Sequence, residues 1–264
     1  MAITKKDSDK PGYVEKFKKV KTILVSQARP PRTPYSEIEE KYGLQIDFRP
    51  FIQVDPLSEK DFRKTRIRPE EYRAVIFNSK HAIDHFFRIT EEMRVKMHPD
   101  TRYFCATENV ANYLQKFILF RKRKVFNGIK SIDDIQNYFV KFRTEKFLLI
   151  CSNLGAQDTI KMLDKIQVEY TEAIMYHTVS SDLSDLSDIT YDVLVFFTPL
   201  EIKSLYDNFP DFKQNQTRIA VFGSQTIKAA EEKGLIINIK APTPEAPSMT
   251  MALANYLAIS NASK

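Results

Sequence analysis

Short apolar runs that end in polar residues alternate along this chain with segments of helical spacing. The run 147–151 is followed by Ser152 and then by a polar segment whose apolar positions are spaced as on a helix. This pattern predicts a buried strand, a turn and a helix. The run 22–25 is followed in the same way by a helix-like segment that ends near Gly43. The chain therefore repeats one α/β unit, which predicts two similar domains.

Counting strands and helices assigns these elements to the domains. The middle of the chain holds a complete set of units, whereas the last part lacks one unit that the N-terminal segment supplies. We therefore predict an α/β fold of two similar parallel-sheet domains. Domain 1 is discontinuous and flavodoxin-like, 1–45 plus 180–264, and domain 2 is the insertion 57–168. The linker strands 46–56 and 169–179 can pair as a two-stranded ladder that acts as a hinge beside a groove between the domains.

The composition narrows the class of function. The 264 residues carry a net charge of +6, which favours anionic partners, both nucleic acid and small polycarboxylates. Only six glycines are present, so the glycine-rich loops of dinucleotide-binding and P-loop proteins are missing. No apolar run reaches the ~18 residues of a membrane span, and the polar N-terminus has no signal-peptide segment. We expect a soluble cytoplasmic protein whose first ~15 residues are frayed.

The predicted strands end in small hydroxyl or amide residues directly before helices. Helix N-termini offer unpaired N–H groups and a positive dipole end, so such residues beside a groove could bind carboxylates or phosphates. Ordinary N-capping explains the same residue types at any single site. Arg29 and Arg32 follow the first strand at the sheet edge where ligands bind in open α/β folds. The strand-end residues are Ser26, Gln27, Asn78, Ser79, Thr107 to Asn109, Ser152, Asn153, Thr198 and Ser224 to Thr226.

Other groups fit a structural role better than a chemical one. His81 and His85 have the i,i+4 spacing of metal ligands, but no HExxH motif or third ligand accompanies them, which favours an exposed or capping pair. The basic run 121–124 lacks interleaved aromatic residues and fits a solvated face. Cys105 and Cys151 lie in apolar strand-like runs, which predicts buried free thiols and a reducing compartment.

Tyr176 differs from these groups because it lies in the crossing segment between the predicted domains. One side of that strand would face the groove. A packed core or hinge tyrosine is the alternative interpretation.

Five motifs, in this order and spacing, resemble the uroporphyrinogen-III synthase family over nearly the whole chain. The family is known for low sequence similarity, and the order agrees with the split two-domain topology. The motifs are Asn78-Ser-Lys-His-Ala-Ile83, Tyr176-His-Thr178, Phe197-Thr-Pro199, Phe222-Gly-Ser-Gln-Thr-Ile227 with Gly234, and Ala241-Pro-Thr-Pro244.

The resemblance implies a cofactor-free enzyme that takes hydroxymethylbilane, a linear tetrapyrrole octacarboxylate, and closes it to uroporphyrinogen III with inversion of ring D and loss of water. Such an enzyme of porphyrin and heme biosynthesis is expected to be a cytoplasmic monomer without a metal, nucleic-acid or membrane partner. The residue matching the family's favoured catalytic tyrosine is Tyr176, which would help the hydroxyl to depart. The implied substrate-binding residues are Ser26, Arg29, Ser79, Lys80, Asn109, Ser152, Thr198, Ser224 and Thr226.

The chain departs from the family pattern at three turns. Asn78-Ser79 stands for the usual Thr-Ser, Ser26-Gln27 for the frequent Thr-Arg, and Ala106 and Asn109 for the usual Gly and Thr. Two other classes of protein remain as alternatives. One is a two-domain binding or sensor protein that closes on a small anion without chemistry, and the other binds nucleic acid through basic helices.

Overall fold

The structure is a computed structural model that describes residues 17–30 and 34–262. The N-terminal segment predicted to be frayed and the predicted ligand-facing Arg32 lie outside this range. The strands of the described residues are β1 Thr22–Val25, β2 Gln45–Phe48, β3 Ile52–Pro56, β4 Ala74–Phe77, β5 Arg102–Cys105, β6 Val125–Asn127, β7 Phe147–Ser152, β8 Tyr170–Ser180, β9 Val193–Phe196, β10 Arg218–Phe222 and β11 Ile237–Ala241. The α-helices are α1 Tyr35–Tyr42, α2 Glu59–Lys64, α3 Lys80–Glu92, α4 Glu108–Leu114, α5 Gln136–Lys141, α6 Gln157–Lys165, α7 Pro199–Asn208, α8 Ser224–Glu232 and α9 Met249–Ser260.

The chain divides into two compact units, each with its own sheet. We call the described residues of 1–53 and 179–264 the split unit, and residues 54–178 the inserted unit. The predicted class of two parallel-sheet α/β bodies, one of them discontinuous, is confirmed. The exact domain limits given above stay a prediction.

The split unit has the strand order β11-β10-β9-β1-β2, and all of its strand pairs are parallel. This is the order 2-1-3-4-5 of flavodoxin-like folds, whose direction of strand addition reverses between β1 and β9. Both strands are almost continuously apolar because helices cover both faces of the sheet. One face packs on α1 and α9, and the other packs on α7 and α8.

The inserted unit has the strand order β3-β8-β7-β4-β5-β6. Its direction of addition reverses between β4 and β7, which are parallel neighbours. Side chains of α3 and α4 pack on one face, and side chains from α5 and α6 pack on the other. The unit boundaries lie inside β3 and β8, which are hydrogen-bonded neighbours. Whether this pair acts as a hinge stays a prediction.

The predicted linker 46–56 is not one strand in the structure. It contains most of β2, which pairs with β1 in the split unit, and then β3. Pro50 separates the two because proline has no N–H to donate to a ladder and fixes its own φ angle. The segment from Gln45 to Phe48 is therefore an edge strand of the five-stranded sheet rather than part of a connection.

Several local predictions are confirmed. Gly43 ends α1 with a left-handed φ of 60°. Cys105 and Cys151 are buried free thiols, and burial raises the pKa of Cys105 to about 12 and that of Cys151 to about 11. Within the described ranges, we find no helix with the length and apolar character needed to cross a bilayer.

Candidate functional site

The reversal point of the inserted sheet brings two predicted site residues to the carboxyl ends of neighbouring strands. β4 ends at Phe77 and β7 ends at Ser152, and two residues separate β4 from α3. Ser79 caps α3, and its Oγ accepts a hydrogen bond of 3.1 Å from the backbone N–H of Ala82. In open α/β sheets, the carboxyl edge at such a reversal point is where ligands bind.

An irregularity in β8 brings Tyr176 to this edge. Cys151 pairs with Ile174, but the next residue, Ser152, pairs with Tyr176, so Met175 is an extra residue on β8. Met175 and Tyr176 are consequently both buried, which breaks the alternation expected of a regular strand. Bulges of this kind re-aim side chains next to functional sites. Here the bulge leaves Tyr176 packed with the residues of α3.

Ser79, the cap of α3, and His85 within that helix contact the Tyr176 side chain. Its Oη lies 3.4 Å from Oγ of Ser79, and its ring stacks on the ring of His85 with centroids 4.9 Å apart and an interplanar angle of 18°. Because one lone pair of Ser79 Oγ is engaged by the Ala82 N–H, the serine hydroxyl hydrogen is free to point at Tyr176. In that arrangement the phenol keeps its own proton for another acceptor.

The surroundings keep Tyr176 protonated at neutral pH. Burial raises the pKa of Tyr176 above its ordinary 10.0, the hydrogen bond with Ser79 acts in the opposite direction, and Cys151 adds a small upward contribution. A phenol in this state donates a hydrogen bond or a proton and does not act as a base.

His85 has a role in this structure that the sequence did not indicate. Burial, followed by the charge of Arg88 and the proximity of His81, lowers the pKa of His85 below its ordinary 6.5, against a smaller opposing effect of Asp84. Nδ1 of His85 lies 3.5 Å from Nη2 of Arg88, a group that can only donate. The ring is therefore neutral at pH 7, and an Nδ1 that accepts from Arg88 leaves the proton on Nε2. Among the residues that the structure describes, no group of three or more His, Cys, Asp or Glu could hold a metal ion.

The reversal point of the split sheet is occupied by a carboxylate. Glu201, in the first turn of α7, is 1% exposed, and its Oε2 accepts a hydrogen bond of 2.7 Å from the hydroxyl of Ser26. The same oxygen accepts backbone N–H bonds of 2.6 Å from Phe197 and 3.1 Å from Thr198. Thr198 Oγ1 in turn accepts from the N–H of Glu201, which completes a capping box. The strand-end groups of this edge thus bind each other.

The remaining predicted site residues lie in different surroundings. Thr226 is buried and donates its hydroxyl to the carbonyl of Phe197 at 2.9 Å. Arg29 is exposed, paired with Glu39, and lies over the Phe48 ring. Lys80, Asn109 and Ser224 are exposed in the first turns of α3, α4 and α8.

One cavity of the protein does not coincide with either reversal point. It has a volume of about 690 Å³ and lies in the split unit. Its lining includes Tyr191, Asp192 and Thr217, which precede β9 and β10 and therefore mark the amino edge of the sheet. Ser79, Ser152 and Tyr176 meet at the carboxyl edge of the inserted unit, the edge where ligands bind in open α/β sheets, so we place the candidate site there.

A sequence model of the family described as Uroporphyrinogen-III synthase HemD matches residues 34–251. The chain belongs to the uroporphyrinogen-III synthase family. The resemblance given by the motifs is thereby confirmed.

Individual relatives agree with this family. A uroporphyrinogen-III synthase of Chlorobaculum parvum is 21% identical over 251 residues, which cover 90% of this chain and 100% of that protein. The crystal structure of uroporphyrinogen-III synthetase from Helicobacter pylori has a TM-score of 0.58 at 16% identity and covers 90% of this chain and 99% of that one. A mutant uroporphyrinogen III synthase from Thermus thermophilus has a TM-score of 0.55 at 11% identity, covering 90% and 98%. The two structures show that the fold is shared.

Two residues of this uroporphyrinogen-III synthase family member were missed by sequence reasoning. Glu201 stands three residues after Thr198, and this capping-box spacing could have revealed that the carboxylate turns back onto the strand ends. The i,i+4 spacing of His81 and His85 predicts an exposed or capping pair, and this prediction is wrong for His85, which is half-buried against Tyr176. Its stack depends on the bulge at Met175, which no periodicity in the sequence specifies.

Proposed function

We propose that this chain closes hydroxymethylbilane to uroporphyrinogen III, with inversion of ring D and loss of water, in porphyrin and heme biosynthesis. The observation that carries the proposal is the protonated, buried phenol of Tyr176 at the carboxyl edge of the inserted sheet, in a chain of this family. A phenol placed there can donate to a departing hydroxyl without any acid/base pair of carboxylates.

The proposed reaction needs positioning more than strong acids or bases. The bond between the ring A methylene carbon and its hydroxyl oxygen breaks, and the oxygen leaves as water with a proton from Tyr176. Ring D then attacks the resulting azafulvene cation through its substituted carbon, and the spiro intermediate fragments and closes again. The proton released from the ring at the end restores the phenol. Unaided closure gives the type I isomer, so the protein must hold one geometry.

The charges of the chain suit an octa-anionic substrate. The net charge is +6, and Arg29 and Lys80 are exposed next to the carboxyl ends of β1 and β4. We propose that Arg29, Lys80, Asn109 and Ser224 contact carboxylates, and that Ser79 and Ser152 line the position next to Tyr176. Ser26, Thr198 and Thr226 have internal partners, so we propose that they support the edge of the split sheet.

We further propose that the protein works as a cytoplasmic monomer, without a cofactor or a nucleic-acid partner. The deciding assay adds freshly generated hydroxymethylbilane to the purified chain and separates type I from type III products after oxidation. We expect type III product, with type I in the enzyme-free control. Type I product alone at the uncatalysed rate would refute the proposed function.

Replacing Tyr176 by Phe tests the role of the phenol. We expect Tyr176→Phe to lower type III turnover by about 10- to 100-fold, because only the donor is removed, while the urea unfolding midpoint stays close to that of the wild type. Tyr170→Phe is the matched control, since Tyr170 lies in the same strand and donates to the exposed Asp164. Unchanged type III formation by Tyr176→Phe would remove Tyr176 from the mechanism.

A further inference from the structure

Four side chains form a row on one face of α3, and one of them stacks on the Tyr176 ring. His81, His85, Arg88 and Glu92 follow each other at spacings of four, three and four residues, which places them on one side of a helix. Tyr176 stacks on the second of these residues at 4.9 Å, whereas the ring of His81 is tilted and 6.5 Å away. The close ring contact is therefore specific to His85.

The His85 ring is itself held in place. Its Nδ1 is 3.5 Å from Nη2 of Arg88, and that guanidinium nitrogen donates to the carbonyl of Leu57 at 2.7 Å. Nη1 of Arg88 donates to both carboxylate oxygens of Glu92 at 3.0 Å. An arginine with these partners has little rotational freedom, so it supplies a fixed support for the imidazole.

The hydrogen bond of Tyr176 cannot fix the ring by itself. The distance between Oη and Ser79 Oγ is 3.4 Å, long for a bond between two hydroxyl groups, and it restrains only the tip of the side chain. A neighbour stacked on the face of the ring restrains its tilt, together with the apolar side chains of the surrounding cluster. That neighbour is His85, nearly parallel at 18°.

We propose that His85 is a positioning residue for the reaction: it holds the plane of the Tyr176 ring so that the phenol proton points at the departing hydroxyl. This inference rests on the proposed function. His85 does not touch the substrate in this role and acts through Tyr176 alone. A displacement of about 1 Å at a reacting group can cost about 100-fold in rate, so a loss of ring orientation should be visible in turnover.

The kinetic test compares three single variants in the type III assay. We expect His85→Ala to lower kcat by about 10-fold with KM within about two-fold, because the substrate contacts remain while the donor is misaligned. His85→Phe keeps a flat ring of similar size and should restore most of the turnover. His81→Ala, one turn earlier on the same helix face, is the matched control and should behave as the wild type.

The double variant shows whether His85 acts through Tyr176. In the Tyr176→Phe background, His85→Ala should bring no further loss, because the phenol that it positions is already absent. An equal loss of kcat in both backgrounds would overturn the proposal, and so would a His85→Ala variant with wild-type kcat.

A structural measurement separates this proposal from the proposed function. In protein with ¹³C-labelled tyrosines, the Tyr176 ring signal is the one that disappears in Tyr176→Phe. It should shift in His85→Ala and stay in place in His81→Ala, whatever the activity. If it does not shift, the stack is absent and the proposal fails, even where type III product is formed. If it shifts but Tyr176→Phe retains full turnover, the proposed role of Tyr176 fails, and with it the positioning role.

Discussion

The same local pattern, a hydroxyl residue between a strand and a helix, makes different contacts in the two sheets of this protein. In the split unit, β9 is followed by Thr198, the cap of α7, and the third residue of that helix is Glu201. In the inserted unit, β4 is followed by Ser79, the cap of α3, and the third helix residue is Ala82. The carboxylate of Glu201 binds the strand-end donors of its own sheet, whereas Ala82 has no such group, and the cap serine contacts Tyr176 instead.

The difference shows that a hydroxyl at the end of a strand does not by itself indicate a binding site. Whether such a hydroxyl is available to a ligand depends on whether a carboxylate three residues later accepts hydrogen bonds from the free donors of the turn. At the reversal point of the split sheet, Ser26, Thr198 and Glu201 satisfy one another. The edge of the inserted sheet leaves a phenol and a serine with capacity for another partner.

Removal of the carboxylate should have the largest effect. We expect Glu201→Ala to lower the free energy of unfolding by about 3 kcal/mol, because the Ser26 hydroxyl and two backbone N–H groups lose a buried acceptor. Urea unfolding followed by circular dichroism measures the loss. Glu232→Ala is the control, since Glu232 forms only an exposed ion pair with Lys228. A loss no greater than the control's would mean that the carboxylate does not organise this edge.

The two serines should separate stability from activity. Ser26→Ala removes a buried bond to Glu201 and should cost about 1 to 2 kcal/mol of stability, with turnover within about two-fold of the wild type. Ser79→Ala should cost about 1 kcal/mol as a lost cap and also lower kcat about five-fold, the rate equivalent of one hydrogen bond to the phenol. Type III turnover and urea midpoints of both variants test the contrast. Equal losses of kcat would abolish the distinction between the two edges.

The exposed arginine of the split unit should affect binding and not folding. Arg29 forms a surface ion pair with Glu39, so Arg29→Ala should change the free energy of unfolding by less than about 0.5 kcal/mol. If the guanidinium contacts a substrate carboxylate, KM rises about two- to five-fold with kcat unchanged. Arg63→Ala, at the exposed pair with Glu59 on α2, should leave KM unchanged. Identical KM values for the two variants would remove Arg29 from the substrate contacts.

The smallest effect concerns pH. All four histidines of the sequence lie within 54–178, and His85 is one of them. The pKa of His85 is lowered on folding, so below pH 6.5 the unfolded chain binds a proton that the folded chain does not. Stability contributed by neutral His85 is complete above pH 6.5 and is lost as the pH falls toward the lower folded value.

Unfolding midpoints measured between pH 7.5 and 5 test this expectation. The His85→Gln variant should lose less stability on acidification than the wild type, by about 0.5 kcal/mol or less because the ring is only half-buried. Parallel pH profiles of the two proteins would contradict the lowered pKa.

The sequence by itself determined the α/β class, the split arrangement and the family motifs. These follow from local patterns: a continuous apolar run such as Phe147 to Cys151, bounded by turn residues, is typical of a covered parallel strand, and Gly43 permits the left-handed cap that ends α1. Tyr176 could be singled out because it lies in a crossing segment of the chain.

Only the tertiary structure decided which polar groups meet. The extra residue Met175 turns Tyr176 onto α3, where His85 lies against its ring, and the fold brings Ser26 to within 2.7 Å of Glu201, 175 residues away. No periodicity in the sequence predicts either contact, because each depends on strand register and on residues distant along the chain. The pattern of residue types predicts which side chains of a strand are buried. Which groups those side chains contact depends on the position of a bulge and of the nearest carboxylate.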